Sequence, residues 1–292
     1  MAAAEQTAAE RTAGGARGPR GPGDGSILST VRRELRFLLA IWRTGLASAM
    51  EYRAAFLTQV LGMALNNLIF LTFWVVFFTR FDQVQGWGLG DVTLLFAVVA
   101  TGFGLAVFLF GNALNLGEVI SGGRLDYYLA MPRPVLLHAL AGNSRFSGVG
   151  DVLSGLLIFL VVGDVSALSL LRFGVGVLSS TAVLLSFLVT VQSLTFWMGG
   201  ASLLSQQAFN AIVTFATYPL TLFDGSAKLL LLTIVPAAFV GAVPASLVQE
   251  FSWTTLGQMA LSATVSLVIA LVVFHRGLRR YESGSAIVVG EV

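Results

Sequence analysis

Long apolar stretches alternate with short polar ones over most of this chain. Residues 54–78 are almost continuously apolar, and so are 92–116. About 25 residues of helix at 1.5 Å each exceed the ~30 Å hydrocarbon core of a bilayer, so each stretch predicts one membrane crossing. The pattern returns at 146–162, 174–198, 208–223 and 255–275, giving about six transmembrane helices. A polar, glycine-bearing segment from Arg80 to Asp91 divides the first two. Asp164 and Arg172 mark the connection between the third and fourth, and a brief turn at 199–207 precedes the fifth. The longest polar stretch within the apolar region runs from Gly117 to Arg145. An all-α membrane protein is the fold class this predicts.

Upstream of the first crossing the period changes. Val31, Leu35, Leu38, Trp42, Leu46 and Ala49 recur at spacings of three and four, which makes one apolar stripe. Arg32, Arg33, Arg36 and Arg43 fall on or beside the other face. Such an amphipathic helix, over 27–53, belongs in the membrane interface; its other reading is a soluble helix packed on another domain. Residues 1–26 are rich in Ala, Gly, Pro and Arg and lack an apolar run. They read as a disordered cytoplasmic tail rather than a cleaved signal peptide. Residues 283–292 read as a second cytoplasmic tail.

Residues 229–248 are apolar and long enough to cross, yet they carry Pro236 and Pro244, which remove backbone donors and bend a helix. Charge arbitrates. With six crossings and a cytoplasmic N-terminus, the inner segments hold Arg53, Arg124, Arg133, Arg145, Arg276, Arg279 and Arg280 beside the arginines of 27–53. The outer ones hold only Arg80, Arg172 and Lys228. A seventh crossing would put Arg276, Arg279 and Arg280 outside, against the positive-inside bias. The stretch therefore predicts a broken, re-entrant pair of short helices dipping in from the outer face and buried against its neighbours. Both termini then face the cytoplasm, and 54–282 forms one transmembrane domain in the cytoplasmic membrane.

Composition agrees. A mean hydropathy of +0.84, with 56% apolar and 11% charged residues, is far from the roughly 25% charged content of soluble domains. The basic residues sit beside apolar spans, which marks topology and not a nucleic-acid surface. No cysteine is present, and the two histidines, His138 and His275, are far apart. Thiolate chemistry is thereby excluded, neither histidine sits in a ligand-spaced cluster such as HExxH, and no metal site is expected. The single lysine, Lys228, lacks the GxxxxGK[ST] context, and no GxSxG occurs. No catalytic residues are expected, and any ATP must be hydrolysed by another chain.

Charge deep in the membrane is sparse. Asp151 comes closest, either as a proton relay or simply reaching the interface. Asn66, Asn67, Asn112, Asn115, Gln192 and Asn210 either bond helix to helix or line a substrate path. A deep cluster of convergent charges is missing, which argues against a small ionic substrate. Phenylalanines such as Phe70, Phe73, Phe77, Phe78, Phe103, Phe108 and Phe110 suit lipid or greasy substrates.

The inner stretch from Gly117 to Pro134 opens helically and turns at Gly122-Gly123. Asp126 can cap a second short helix that ends ahead of Pro132, because proline disfavours helix in the residue before it. Such an element gives a soluble partner something rigid to push; an ordinary capped loop would look the same.

Two sets of residues carry a resemblance. Met50-Glu51-Tyr52-Arg53 precede the first span, and Ile120-x-x-Gly123-x-Leu125-Asp126-x-x-Leu129-x-x-Pro132 follow the second. With the order of parts over residues 30 to 282, they resemble the permease subunits of type-2 ATP-binding-cassette (ABC-2) exporters. The small permeases of multidrug or viologen-type exporters are the most similar. The resemblance implies that Glu118, Ile120, Gly123, Leu125, Asp126, Leu129 and Pro132 belong to the coupling helix and its turn, which dock on a separate ATPase subunit. It implies that Glu51, Tyr52 and Arg53 lie beside that contact, and that the segment with Pro236 and Pro244 is an exit lid. ATP and magnesium would sit on the partner and no cofactor on this chain. Two permeases, identical or not, would pair in the lipid around a path that opens by alternating access. The substrate implied is an amphipathic or hydrophobic drug, lipid or metabolite. The alternative is a non-transporting scaffold or sensor that recruits a soluble partner through the same loop.

Overall fold

The structure, a computed structural model, describes residues 27–198 and 201–282. The tails expected at 1–26 and 283–292 lie outside the described residues. Residues up to 40 and those from 41 onward form two compact units. The described part of the first is the beginning of helix α1 (Ile27–Glu51), where Arg33 and Glu34 pair at 3.5 Å.

The second unit is a helical bundle. After the end of α1 come α2 (Arg53–Phe78), α3 (Leu89–Leu109), the short helices α4 (Leu116–Ser121), α5 (Leu125–Leu129) and α6 (Val135–Ala141), then α7 (Ser147–Val162) and α8 (Ala167–Ser193). Helix α9 (Ser202–Ala216), three short helices α10 (Gly225–Thr233), α11 (Ala237–Val240) and α12 (Ala242–Gln249), and α13 (Trp253–Leu278) complete it.

Six apolar helices alternate in direction. Phe56 near the start of α2 meets Phe146 ahead of α7, and Val107 near the end of α3 accepts the Arg145 N–H. Gln192 at the end of α8 bonds residues just past α3, and Phe274 near the end of α13 meets Phe196. These contacts share one end of the bundle with the 110–146 connection. The 79–88 connection, with its Val84–Trp87 bridge, marks the opposite end.

Four helices (α2, α3, α8 with its 3-10 extension to Phe196, and α13) are long and apolar enough to cross a membrane. Helices α7 and α9 have 16 and 15 residues. At 1.5 Å per residue they fall short of the ~30 Å core, so they cross only where their flanking turns complete the path. Three expected spans shift; the fifth, expected at 208–223, runs from Ser202 to Ala216. The second span stops at Leu109, where a 3-10 turn (Gly111–Leu114) replaces it, and the fourth begins at Ala167 because Ser166 caps it by accepting the Ser169 N–H.

Helix α3 is the hub, with most of its apolar window buried (78%), whereas α2 and α13 bury only 11% of theirs. Between helices already surrounded by lipid, close backbone approach replaces the hydrophobic drive. Gly104 of α3 and Gly148 of α7 provide it: a Cβ on either would come within 2.5 Å of the other's carbonyl oxygen. Beside this seam Asp151 is buried, and its Oδ1 accepts a 2.8 Å hydrogen bond from Asn67 Nδ2 of α2. Asp151 thus links α2 to α7.

The outer pair is broken as expected, with a bend of 59°. Its start follows Tyr218, whose ring lies 5.9 Å from Trp74 near the end of α2. Its end carries Gln249, which donates to Asp91 at the start of α3 at 2.9 Å. Both ends therefore lie at the end of the bundle that holds the 79–88 connection, which is the geometry of re-entry. The deepest turn, at Gly241, packs so closely that a Cβ would overlap the Ala216 carbonyl oxygen.

Candidate functional site

The connection from α3 to α7 is built from buried apolar anchors and an exposed rim. Leu116, Val119, Ile120 and Leu125 are buried, in one core with Leu184, Phe187 and Leu188 of α8. Gly123 turns the chain between α4 and α5 at φ +70, a left-handed conformation that costs a residue with a Cβ roughly 1–2 kcal/mol.

Three polar residues hold the connection, one of them by bonding it to the bundle. Gln192 of α8 donates through Nε2 to the Leu114 carbonyl at 2.6 Å, and its Oε1 accepts the Gly117 N–H at 3.1 Å. Asn112 donates to the Ala139 carbonyl at 2.8 Å. Beside Asn112 lies the Tyr128 hydroxyl; burial first, then the neighbouring Tyr127, raises it above the usual tyrosine value, so it stays a neutral donor. The third residue comes from the end of α13. Tyr281 buries its hydroxyl beside the Asp126 carboxyl, and burial first, then Asp126, pushes it up to about 12. Its ring stands edge-on to Phe196 at 6.1 Å, and Phe196 meets Phe274 at 5.7 Å.

The opposite face is open. Glu118, Ser121, Arg124, Leu129 and Pro132 are exposed, and so is Tyr127, with 65% of its surface accessible. Glu118 and Arg124 approach to 4.0 Å, a surface pair of small energetic consequence.

The coupling residues expected from the motif therefore divide. Ile120 and Leu125 hold the element down, Gly123 turns it, and Glu118, Leu129 and Pro132 face outward. Asp126 does not cap α5: Arg124 occupies the N-cap, and Asp126 lies in the first turn beside Tyr281. The geometry adds Arg124, Tyr127, Tyr128 and Tyr281. A tyrosine pair in a polar loop was a readable signal for two of these; nothing local pointed to Tyr281. Glu51, Tyr52 and Arg53 are exposed at the break between α1 and α2, and Glu51 and Arg53 form no ion pair within 4.0 Å among the described residues.

The amides separate in the same way. Asn67, Asn112 and Gln192 are occupied in helix-to-helix or helix-to-loop bonds. Asn66 is exposed, and Asn210, also exposed, accepts from Gln206 at 3.1 Å. Asn115 accepts from Arg145 at 3.1 Å. With Gln192, Glu118, Gln206, Phe103 and Phe209 it lines a cavity of about 690 Å³ whose wall mixes amide, charge and aromatic surface. Pro236 and Pro244 are buried in the outer pair. Among the described residues no group of three His, Asp or Glu side chains is placed to hold a metal.

An apolar bundle of alternating helices, with a bolted connection open on one face, is the build of a membrane transport component. The model of the family described as ABC-2 family transporter protein matches residues 63–285. The chain belongs to that family: it is a multi-pass permease component of an ABC transporter, it is not itself the ATPase, and such components work with an ABC ATPase. No curated protein and no solved structure matches the chain.

Proposed function

We propose that this chain is the permease of an ATP-driven exporter that moves an amphipathic molecule out across the cytoplasmic membrane, with the 110–146 connection and both termini on the cytoplasmic side. The observation that carries this reading is the two-sided build of that connection. One face is fixed to the bundle by Gln192, braced by the internal Asn112 bond and packed against Tyr281, and the other offers Tyr127 and Leu129 to solvent inside a polar rim. Exposed aromatic and aliphatic side chains with a charged rim are the usual make-up of an interface centre. A rigid element that receives a push from an ATPase passes it to α8, to which it is bonded, and to the end of α13, against which it packs.

Two such permeases would pair in the lipid. Gln59 and Asn66 on α2, and Gln206, Gln207, Asn210 and Thr214 on α9, are exposed on spans. Amides facing hydrocarbon are unfavourable, so these stripes suit a second permease across a polar path. In alternating access, closure of the ATPase would draw the paired connections together, and the outer pair at Pro236–Pro244 would release the substrate.

Affinity purification of the tagged chain from its native membrane in mild detergent tests this. A stoichiometric ATPase with a phosphate loop is the expected companion. Its reproducible absence, in a preparation that keeps other complexes whole, would move the chain from the transporters to the scaffolds.

A further inference from the structure

Arg145 occupies an unusual position for a membrane-edge arginine. Its backbone is fixed between the end of α3 and the start of α7: its N–H bonds the Val107 carbonyl at 3.1 Å, and its carbonyl accepts the Gly148 N–H at 3.1 Å. The side chain is half-buried, and its terminal nitrogen donates to Asn115 Oδ1 at 3.1 Å. No carboxylate lies within 4.0 Å of it among the described residues. A guanidinium has five N–H donors in a planar fork, and one neutral amide oxygen leaves most of that capacity and the whole charge unanswered.

An open groove of about 560 Å³ adjoins it, between α2 and the turn that leads into α7. Arg145 is the only charged side chain in its lining; Gln59, Ser144 and Ser147 supply amide and hydroxyl groups, Thr58 donates its own hydroxyl to the Ala54 carbonyl at 2.9 Å, and Met63 and Phe146 supply apolar wall. A cation with neutral donors and no acid recognises anionic oxygens. The mouth is open along α2, because a Cβ on Gly62 would meet nothing within 4 Å. Beyond the mouth an apolar strip runs along α2: Leu61, Leu65, Leu68 and Ile69 are 65%, 58%, 58% and 63% exposed. A cationic pocket at the membrane edge thus adjoins a lipid-facing strip.

We infer that Arg145 and the hydroxyls around it bind the phosphate or carboxylate head of an amphiphile whose tail lies along Leu61–Ile69 of α2. Basic pockets between spans on the cytoplasmic side are where anionic head groups bind in membrane proteins. This rests on the permease reading above for its side of the membrane, and it narrows the substrate class from amphipathic to anionic amphiphile. The neighbouring 690 Å³ cavity, which Arg145 also lines, then offers the next place for the head group; its one carboxylate, Glu118, faces the cation Arg124.

The test is lipid retention by the detergent-purified full chain in native mass spectrometry, without any ATPase. The probes are dioleoyl phosphatidylglycerol, dioleoyl phosphatidylcholine and inorganic phosphate. Phosphatidylglycerol should be retained at least tenfold better than phosphatidylcholine. Arg145→Gln should bring the two lipids level, while Arg124→Gln, an exposed cation elsewhere on the connection, should leave the preference intact. Gly62→Phe keeps the charge and blocks the mouth, so it should lose the preference while the chain remains folded. Equal retention of both lipids, or an unchanged preference in Arg145→Gln and Gly62→Phe, overturns the inference. Phosphate bound as tightly as phosphatidylglycerol overturns the tail assignment. Failure here leaves ATPase recruitment standing, and failure of recruitment leaves this binding standing, so the two readings are separable.

Discussion

The chain holds two helix–turn–helix segments at opposite ends of the bundle, and they are secured by different forces. The 110–146 connection is pinned to the bundle by two directional bonds from Gln192 and braced internally by Asn112, with Tyr281 packed beside Asp126. The 225–249 pair is buried through small apolar residues, Ala237, Ala238, Val240, Ala242 and Ala245. Its deepest turn receives a hydrogen bond from Ser180 Oγ to the Val240 carbonyl at 2.7 Å. Directional bonds select one geometry, whereas the outer pair relies mainly on close packing of small side chains, with the Ser180 and Gln249 bonds beside it. On the proposed reading, the first segment would transmit a displacement and the second would yield to one.

The largest expected effect breaks the exposed face of the inner segment. Tyr127→Asp with Leu129→Asp should reduce recovered ATPase about tenfold or more, as loss of an interface centre does. Thermal stability should hold, since both side chains already face solvent; this is read by pull-down and melting in parallel.

Gln192→Leu attacks the bolt. It leaves the Gly117 N–H and the Leu114 carbonyl without partners, at about 1–3 kcal/mol each. The expected outcome is a lower melting temperature and fewer molecules transported per ATP, with the ATPase still bound. Gly241→Leu forces a side chain against the Ala216 carbonyl in the outer pair, for about 1–3 kcal/mol. ATPase recovery should not change. If Gly241→Leu lost the ATPase, or Gln192→Leu kept full coupling, the division between the segments would collapse.

The fold was largely legible in the sequence because lipid demands long apolar runs, and 54–78 and 255–275 match helices α2 and α13 within two or three residues. The place where α3 stops was not, since Phe110, Ala113, Leu114 and Leu116 keep the apolar run going around Asn112 and Asn115 while a 3-10 turn already bends the chain. The candidate site was half legible. Gly123 announced its turn, but the Asp126–Tyr281 contact joins residues from distant parts of the chain, and no local pattern encodes it. Gln192 looked like any amide within a span; only its position opposite Leu114 and Gly117 shows it to be a bolt.

A smaller effect sharpens the comparison further. Tyr281 is held neutral by burial and by Asp126, so its raised value means that its contribution to the node is full below pH 10, the ordinary tyrosine value. That contribution is lost as pH rises through about 12. Asp126→Asn should lower the ionisation of Tyr281 part of the way back, because burial is the larger cause; ultraviolet difference titration against Tyr281→Phe reads it.

The most direct measurement uses the absence of cysteine from the chain. Tyr127→Cys on the inner segment and Ser226→Cys on the outer pair, both at exposed positions, are each treated with a bifunctional cysteine–amine cross-linker in native membranes on both sides. The account predicts an adduct to an ATPase with a phosphate loop from position 127 and none from 226. An ATPase adduct from 226, or none from 127 in membranes where the ATPase co-purifies with the permease, would contradict it.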